Sequence, residues 1–479
     1  MASSFSAKHR SFWLEQALAQ TETPSSGLMG DHKSDLLIVG GGFVGLWTAI
    51  QIKKMDPACE VLLIEQDICG GGASGRSGGF VLSWWPKLTS LIKICGEEDA
   101  LRIVRDSENA IHDISDFCKT NAIDAGMRSM PWLWGSTAIA HDDAWRGVVD
   151  SARRLGENPF QEVSADEARR RSGSMAFRGG VIDTSAATVQ PAKLARGLMR
   201  VALELGVRIY ENTRLVSFSR SQPVVAKLEH GSIRAEKMIL ATNAWAAQLP
   251  ELARSIIPIT SDMIMTAPAP DEIKACGMAR DLCFTDSQTM VNYYHPTDDG
   301  RIAFGKGGWG IAWKGNIGAN FERNRVRAQS VEGDFRLYYP GFKNIAITHD
   351  WCGPIDRTPN SLPLIGHFKN HPNIHYGIGW SGNGIGPSHL GGKILASVAL
   401  AKVNHWSQYP ILNRSVGRFP PEPVRFLGAH VVRTAVASKE RDELNGNKPS
   451  FIASALARLA PAGLEDKSQK VPIPFPAGK

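Results

Sequence analysis

Two short runs of apolar residues, 36–39 and 61–64, open the patterned part of the chain, and residues 43–54 between them repeat with helical spacing. Runs unbroken by polar residues suit parallel strands buried on both faces, whereas a strand with one wet face alternates. The same order returns where the run 374–378 feeds a helix from about Pro387. Residues 97–120 and 192–205 also carry helical spacing. Elsewhere the period changes to two: residues 291–296 and 301–305 alternate across the turn Thr297-Asp298-Asp299-Gly300, which predicts a hairpin. The chain therefore reads as α/β, a Rossmann-like part joined to an α+β part on an antiparallel sheet.

The residues after the first run carry the first chemistry. Gly40, Gly42 and Gly45 fit G-x-G-x-x-G, and Phe43 and Val44 open the helix. The first glycine makes the tight turn, the second lets backbone approach a pyrophosphate, and the third lets helix and strand pack closely. The helix N-terminus then presents N–H groups and its positive dipole end to the phosphates. Glu65 ends the second run, twenty residues beyond Gly45, where a carboxylate accepts from both ribose hydroxyls and disfavours a 2′-phosphate. Strand, motif, helix, strand and acid in register predict a dinucleotide site.

Two further glycine loops choose the dinucleotide. In the segment 70–79, Gly72, Ala73, Ser74, Arg76, Ser77, Gly78 and Gly79 are too small and flexible for an ordinary helix start. Successive small residues expose N–H groups in a concave loop, suited to a second stretch of phosphate or a flat ring against the main chain. An NAD enzyme needs no such loop; a long cofactor lying extended does. Gly382, Asn383, Gly384 and Ile385 form the other loop, before a helix whose N-terminus would stabilise negative charge on the N1–O2 edge of a reduced flavin. FAD is the cofactor expected.

Composition narrows the class. A chain of 479 residues exceeds one core, so two intertwined domains are expected. Hydrophobic residues at 43% and charged residues at 21% are ordinary for a globular protein. No apolar run approaches the roughly 20 residues of a membrane span, because the best stretch, 36–52, is broken by Gly40, Gly41, Gly42 and Gly45. Residues 1–34 lack the charged-then-apolar order of a signal peptide, so a cytoplasmic enzyme is expected. Seven cysteines without a CxxC pair read as reduced thiols, with no metal site. The net charge of +7, spread without a basic run, suits a small anionic substrate better than nucleic acid. The densest basic cluster, Arg169-Arg170-Arg171, lies on a polar helical surface.

These segments resemble the D-amino-acid oxidase superfamily of FAD-dependent amine oxidoreductases, which includes glycine and sarcosine oxidases. The resemblance spans about residues 35–405 and adds Val216, the strand and turn 238–245 with Ala241 and Thr242, and the segment 351–366. The last matches Trp-x-Gly, with Gly353 here, then Thr-Pro-Asp and Pro-x-Ile-Gly, with Asn360 replacing the Asp. The hairpin 293–305 resembles γ-glutamylputrescine oxidase-like enzymes, and the segments 10–18 and 179–191 resemble a subgroup of that branch, the aminophosphonate oxidoreductases. The resemblance implies a discontinuous FAD domain (35–94, 185–260 and 345–405) and a substrate domain (95–184 and 261–344). An N-terminal extension (1–34) and a Pro-containing C-terminal arm (406–479) flank them.

It also implies the reaction: hydride passes from the amine-bearing carbon to flavin N5, the imine hydrolyses to an aldehyde, and O₂ is reduced to H₂O₂. Here the protein supplies orientation, desolvation and charge placement. The implied substrate is an aminophosphonate, 2-aminoethylphosphonate or its N-methyl or hydroxy derivative. A γ-glutamylputrescine or D-amino-acid substrate is the alternative, and tRNA modification, which this flavin fold also serves, would need a basic face. Lys306 is the candidate cation near N5, as in relatives with a lysine at that strand end. His295, where many relatives carry Arg, is the candidate for the anionic group. Tyr294 and His295 face opposite sides of their strand, so at most one reaches the cavity. Trp84, Trp85, Trp132 and Trp134 are candidate cavity walls, and Arg76 is expected to hold cofactor phosphate or loop backbone. Cys352 lies one residue off the register of covalent attachment, so FAD is expected to be non-covalent.

Overall fold

In the computed structural model, which describes residues 9–19, 27–461 and 463, the run 36–39 is the inner half of the strand Gly30–Val39. Val61–Ile64 and Gly231–Leu240 flank it in parallel; Arg208–Tyr210 and His371–Ile378 extend the sheet on either side, also in parallel. Leu36, Ile38, Val61 and Leu63 enter one core cluster, and Leu37, Val39, Leu62 and Ile64 enter another. Both faces are thus buried, which is why these strands show no polar alternation. The antiparallel strands Leu215–Phe218, Val224–Leu228 and Leu364–Phe368 complete eight strands.

A second eight-stranded sheet has the spatial order Ile347–Arg357, Ile257–Thr266, Ile302–Ile311, Asn292–Pro296, Cys283–Asp286, Trp132–Ser136, Gly179–Asp183, Phe160–Val163. Its pairings are antiparallel except Cys283–Asp286 with Trp132–Ser136. The expected hairpin is its centre, with Tyr293 opposite Gly305 and His295 opposite Ala303. One expected boundary moves. Residues 347–357 fall inside the expected cofactor-domain segment beginning at 345, yet they pair along Ile257–Thr266 in the second sheet, Gly353 opposite Ser261. The chain crosses that sheet before returning to the first at Leu364–Phe368.

The helices follow their spacing. Pro191–Glu204 matches its expected span, and Leu88–Thr120 breaks at Gly96, whose φ of 82° is non-helical, one residue before the helix expected from 97. Phe12–Leu18 buries Trp13, Leu14 and Ala17, so residues 10–18 belong to the packed body. The C-terminal arm is also built in. Val424–Leu444 and Phe451–Ala457 are helices, and Val436 and Ala457 bury against Met290. Its Pro-rich end from 464 lies outside the described residues. No described helix is long and apolar enough to cross a membrane.

One packing contact positions the site. Helix Phe43–Met55 lies against helix Ile385–Ala399, and the approach uses glycines where side chains would collide. A Cβ on Gly392 would fall 2.6 Å from Trp47 Cβ, and one on Gly391 would fall 2.4 Å from the Trp380 ring. Replacing Gly392 by Val should therefore lower stability by about 1–3 kcal/mol through overpacking, read from the shift in a urea unfolding curve. An unchanged midpoint would show that the helices separate freely.

Candidate active site

A cavity of about 1250 Å³ opens at the C-terminal ends of the parallel strands, at Val39, Ile64, Leu240 and Gly377, and is walled opposite by Ile259, Ser261, Tyr293 and Gly307 of the second sheet. Open α/β sheets place ligands at this edge. The volume exceeds the about 1,000 Å³ upper range of ordinary small-molecule pockets, as a dinucleotide plus a substrate requires.

The glycine loops line it as their spacing implies. Gly40 has a φ of 113°, and a Cβ there would lie 2.4 Å from the Ala241 carbonyl oxygen; a Cβ on Gly45 would lie 1.9 Å from that of Gly40. Gly40, Gly42, Phe43 and Val44 line the cavity, while Gly45 stands behind its wall holding strand to helix. Gly42 caps the helix without a side chain, and Ser74 Oγ accepts the Phe43 N–H at 2.9 Å. The Glu65 carboxylate accepts the N–H groups of Gly41 (2.8 Å) and Asp67 (3.0 Å). Burial nevertheless pushes its pKa up to about 7.

From the second loop Gly72, Ala73, Ser74, Arg76, Ser77 and Gly78 line the cavity. Gly79 stands behind them with a φ of 78°, its carbonyl accepting the Val189 N–H at 2.9 Å. Arg76 is almost wholly buried and donates to main-chain carbonyls of Gly71 (2.9 Å), Cys352 (3.2 Å) and His9 (2.8 Å). Burial pulls its pKa down to about 10, and these bonds make it a brace for the loop. The last loop contributes Gly382, Asn383, Gly384 and Ile385, with the N-terminus of the helix Ile385–Ala399 at the cavity. Asp356 pins this loop by accepting the N–H groups of Gly379 (2.5 Å) and Ser381 (3.3 Å); burial lifts its pKa to about 7. Val216, 60% exposed, together with Ala241, Thr242 and Gly353, completes the expected set at the wall. Thr242 Oγ1 and Asn243 Oδ1 are buried at this wall without a protein hydrogen-bond partner, polar atoms that a cofactor's hydroxyls and amides would satisfy.

The expected catalytic side chains lie elsewhere. Strand parity is the reason: in Ile302–Ile311, residues 303, 305 and 307 face the cavity side, and 304 and 306 face away. Lys306 accordingly sits beneath the sheet, its Nζ 2.5 Å from Asp334 Oδ2 and 3.4 Å from Gln288 Oε1. Tyr294, on the same far side, is stacked between Phe284 and Phe304 with ring centroids 5.0 Å from each, and its hydroxyl meets that of Tyr339 at 2.8 Å. His295 is on the near side but under the loop, its ring nitrogens 3.0 Å from the carbonyl oxygens of Gly78 and Pro296. It stacks on Trp13, burial holds its pKa down against the pull of the two carbonyls, and the ring buttresses the loop. Trp84, Trp85, Trp132 and Trp134 are buried in the main core and do not line the cavity. Trp245 and Trp380 do. Cys352 is turned from the cavity, its Sγ–H donating to Asp262 Oδ1 at 2.8 Å. Arg170 and Arg171 are both paired with Glu167.

Other residues at the wall were hidden in the pattern. Tyr293 is wedged between Gly78 and Gly305, where Cβ atoms would lie 2.7 Å and 2.3 Å from its ring, and its hydroxyl meets Ser261 Oγ at 2.6 Å. Burial raises its pKa, so it stays a neutral phenol. The C-terminal segment adds Ala429, Val432, Arg433, Val436 and Arg458.

A sheet edge carrying three glycine loops, two helix N-termini and a neighbouring antiparallel wall defines a flavin-dependent oxidoreductase site. The FAD dependent oxidoreductase (DAO) family matches residues 35–398, and the chain belongs to that family. It is 28% identical over 398 residues to the probable oxidoreductase OrdL of Rhizobium meliloti (strain 1021), covering 81% of this chain and 88% of that one. It is 25% identical over 389 residues to the γ-glutamylputrescine oxidoreductase of Escherichia coli (strain K12), covering 80% and 87%. The crystal structure of glycine oxidase from Geobacillus kaustophilus superposes with a TM-score of 0.66 at 21% identity, covering 81% of this chain and all of that one. The protein is an FAD-dependent amine oxidoreductase.

Because Tyr294 is a core residue, Tyr294→Ala should cost about 3–5 kcal/mol of stability, measured by denaturant unfolding. Tyr294→Phe should leave the rate of flavin reduction by amine within about twofold of wild type, since it removes only the bond to Tyr339. A large rate loss in the Phe variant at unchanged stability would return Tyr294 to the reaction.

Proposed function

We propose that the chain oxidises a small anionic amine to its aldehyde, that the amine is an aminophosphonate of the 2-aminoethylphosphonate type, and that O₂ takes the electrons to give H₂O₂. The observation that carries this reading is the charge of the cavity. Its lining carboxylates among the described residues, Glu65, Asp67 and Asp356, lie at the cofactor edge, whereas Lys87, Arg433 and Arg458 add positive charge on the remaining wall. The net charge of +7 and the resemblance of the segments 10–18 and 179–191 agree with it. A relative named for a polyamine-derived substrate keeps γ-glutamylputrescine as the comparison compound.

FAD, when bound, accepts the hydride from the carbon bearing the amine. The chain's part is to hold and shield. Gly40 and Gly42 would bring backbone to the pyrophosphate, with Gly45 packing helix on strand behind them, Glu65 would take the ribose hydroxyls, and Ser74, Ser77 and Gly78 would line the rest of the cofactor's course. The helix Ile385–Ala399 begins at the cavity, where its positive end would stabilise negative charge on a bound flavin. Among the described residues no cysteine lines the cavity, which favours non-covalent FAD. Tyr293, fixed by Ser261 and two glycines, closes the wall against water.

Two experiments test this. Anaerobic addition of 2-aminoethylphosphonate or its N-methyl or hydroxy derivative should bleach the flavin's visible band, with H₂O₂ formed when air is admitted. Bleaching by γ-glutamylputrescine or D-amino acids alone would sink the phosphonate. The role of Glu65 gives a pH test. A carboxyl with a pKa of about 7 is ionised above that value, and only the ionised form accepts from both ribose hydroxyls. FAD should therefore bind about tenfold more tightly at about pH 8 than at about pH 6, and Glu65→Gln should flatten that dependence. A flat wild-type profile by equilibrium dialysis would remove Glu65 from the ribose.

A further inference from the structure

We propose that Arg433, on the helix Val424–Leu444, binds the anionic head of the substrate, and that residues 424–461 are a selectivity element lying beyond the matched family region. This rests on the reading of the substrate as an anionic amine. The family match ends at residue 398, before this segment begins, so its contribution to the cavity comes from outside the matched region.

The segment is held as a rigid part of the wall. Residues 433, 436 and 440 share one face of the helix at spacings of three and seven. Val436 packs on Met290. Glu440 is buried and accepts the main-chain N–H groups of Thr289 and Met290, the latter at 3.2 Å. Glu443, a further three residues along, lies 3.2 Å from His141 Nε2 in a buried pair. Beyond the second helix the chain returns to the cavity, where the Lys87 ammonium donates to the Gly463 carbonyl. Two buried carboxylates thus lock the face that carries Arg433.

Arg433 itself carries a charge that its surroundings leave uncompensated. It is partly buried, and Nη1 donates to the Trp309 carbonyl at 2.9 Å. Among the described residues no ion pair to Arg433 is formed, and burial, with the neighbouring cation Arg327 second, draws its pKa down. Arg327 is already paired with Asp262. A guanidinium has five N–H donors, so one carbonyl leaves most of the fork available, in the planar form that grips carboxylate, phosphate or phosphonate. A cation withdrawn from water without a counter-charge is unfavourable. An anionic ligand supplies that charge.

Its position adds a second reason. A groove of about 640 Å³, lined by Trp313, Arg327, Phe426 and His430, shares Ile311, Asn316 and Arg433 with the central cavity. Arg433 therefore stands where the groove meets the cavity. Arg327 lines the groove and Arg433 both groove and cavity, while Arg458, just past the following helix, lines the same cavity. The shared chemistry is a compact anionic head, phosphonate or carboxylate.

The test uses the FAD-loaded enzyme and two probes, methylphosphonate and acetate, with binding measured by calorimetry. Arg433→Met should weaken methylphosphonate binding by about tenfold or more, the loss of a charge-assisted bidentate contact, and Arg433→Lys should restore part of it. Arg433→Gln, which keeps a donor for the Trp309 carbonyl, serves where the Met variant fails to fold. Acetate weakened more than methylphosphonate would assign the head as a carboxylate, with Arg433 still its ligand. Failure of the wild type to bind either probe, or full binding by a folded Arg433→Gln variant, would overturn the proposal. The outcome is separable from the phosphonate reading. Loss of anion binding in an enzyme that no aminophosphonate bleaches would keep Arg433 and discard that substrate, whereas bleaching with normal binding in the variants would do the reverse.

Discussion

The site depends on how closely two helices approach at one sheet edge. Phe43–Met55 and Ile385–Ala399 come from opposite ends of the family region, yet both begin at the cavity and pack along their lengths. That contact exists because Gly392 leaves room for Trp47, while Gly391 leaves room for Trp380 of the preceding loop. With the helices side by side, two positive dipole ends and their N–H groups converge on one volume. The three glycine loops then act as its lining, each braced from behind: Gly40 against Ala241, the Gly70–Gly79 loop by Arg76 and His295, and the last loop by Asp356. A dinucleotide-sized cavity is the consequence of close packing around it, which is how a dense interior holds a large ligand.

Buried ionisable groups follow from the same arrangement. Glu65 and Asp356 are both pushed up to about 7 because burial opposes their charge, and both spend their acceptors on main-chain N–H groups of the loops. Each therefore fixes a loop while holding its proton within reach of neutral pH. Between the unfolded carboxyl values and about 7, the folded chain retains protons the unfolded chain releases, so these two groups favour the fold below that window and lose their contribution as pH rises through it. Ribose hydroxyls at Glu65 would reverse the effect there by favouring the ionised form.

The cofactor half of the site was legible because its signals are local. Glycine spacing, strand, helix and terminal acid are read within thirty residues, and the wall residues from Gly40 to Gly78 fall where those signals place them. The substrate half depends on parity and on tertiary contact, which a motif does not carry. Lys306 and Tyr294 stand one residue out of phase with the cavity, on the far face of the sheet, and the near positions 305 and 307 are glycines that the wall needs for Tyr293 and for space. His295 has the right phase but lies beneath a loop whose course no local pattern reveals. The four tryptophans were read as a wall for their size, yet large apolar rings serve the main core equally well.

The C-terminal segment was the least legible part, for a physical reason. Its longest helix is nearly even in apolar distribution, with Val424, Leu427 and Val431 exposed in its first half and Ala435 and Val436 buried further along. Such a helix has no strong stripe to announce a packed face. What places it is polar: Glu440 on two main-chain N–H groups and Glu443 on His141, contacts that span some 150 and 300 residues of chain. The matched region, residues 35–398, already holds the cofactor edge and the sheet wall. The C-terminal segment, anchored through buried carboxylates, lines the remaining side without entering the cofactor loops, so a change there would alter what the cavity accepts and leave the cofactor edge untouched.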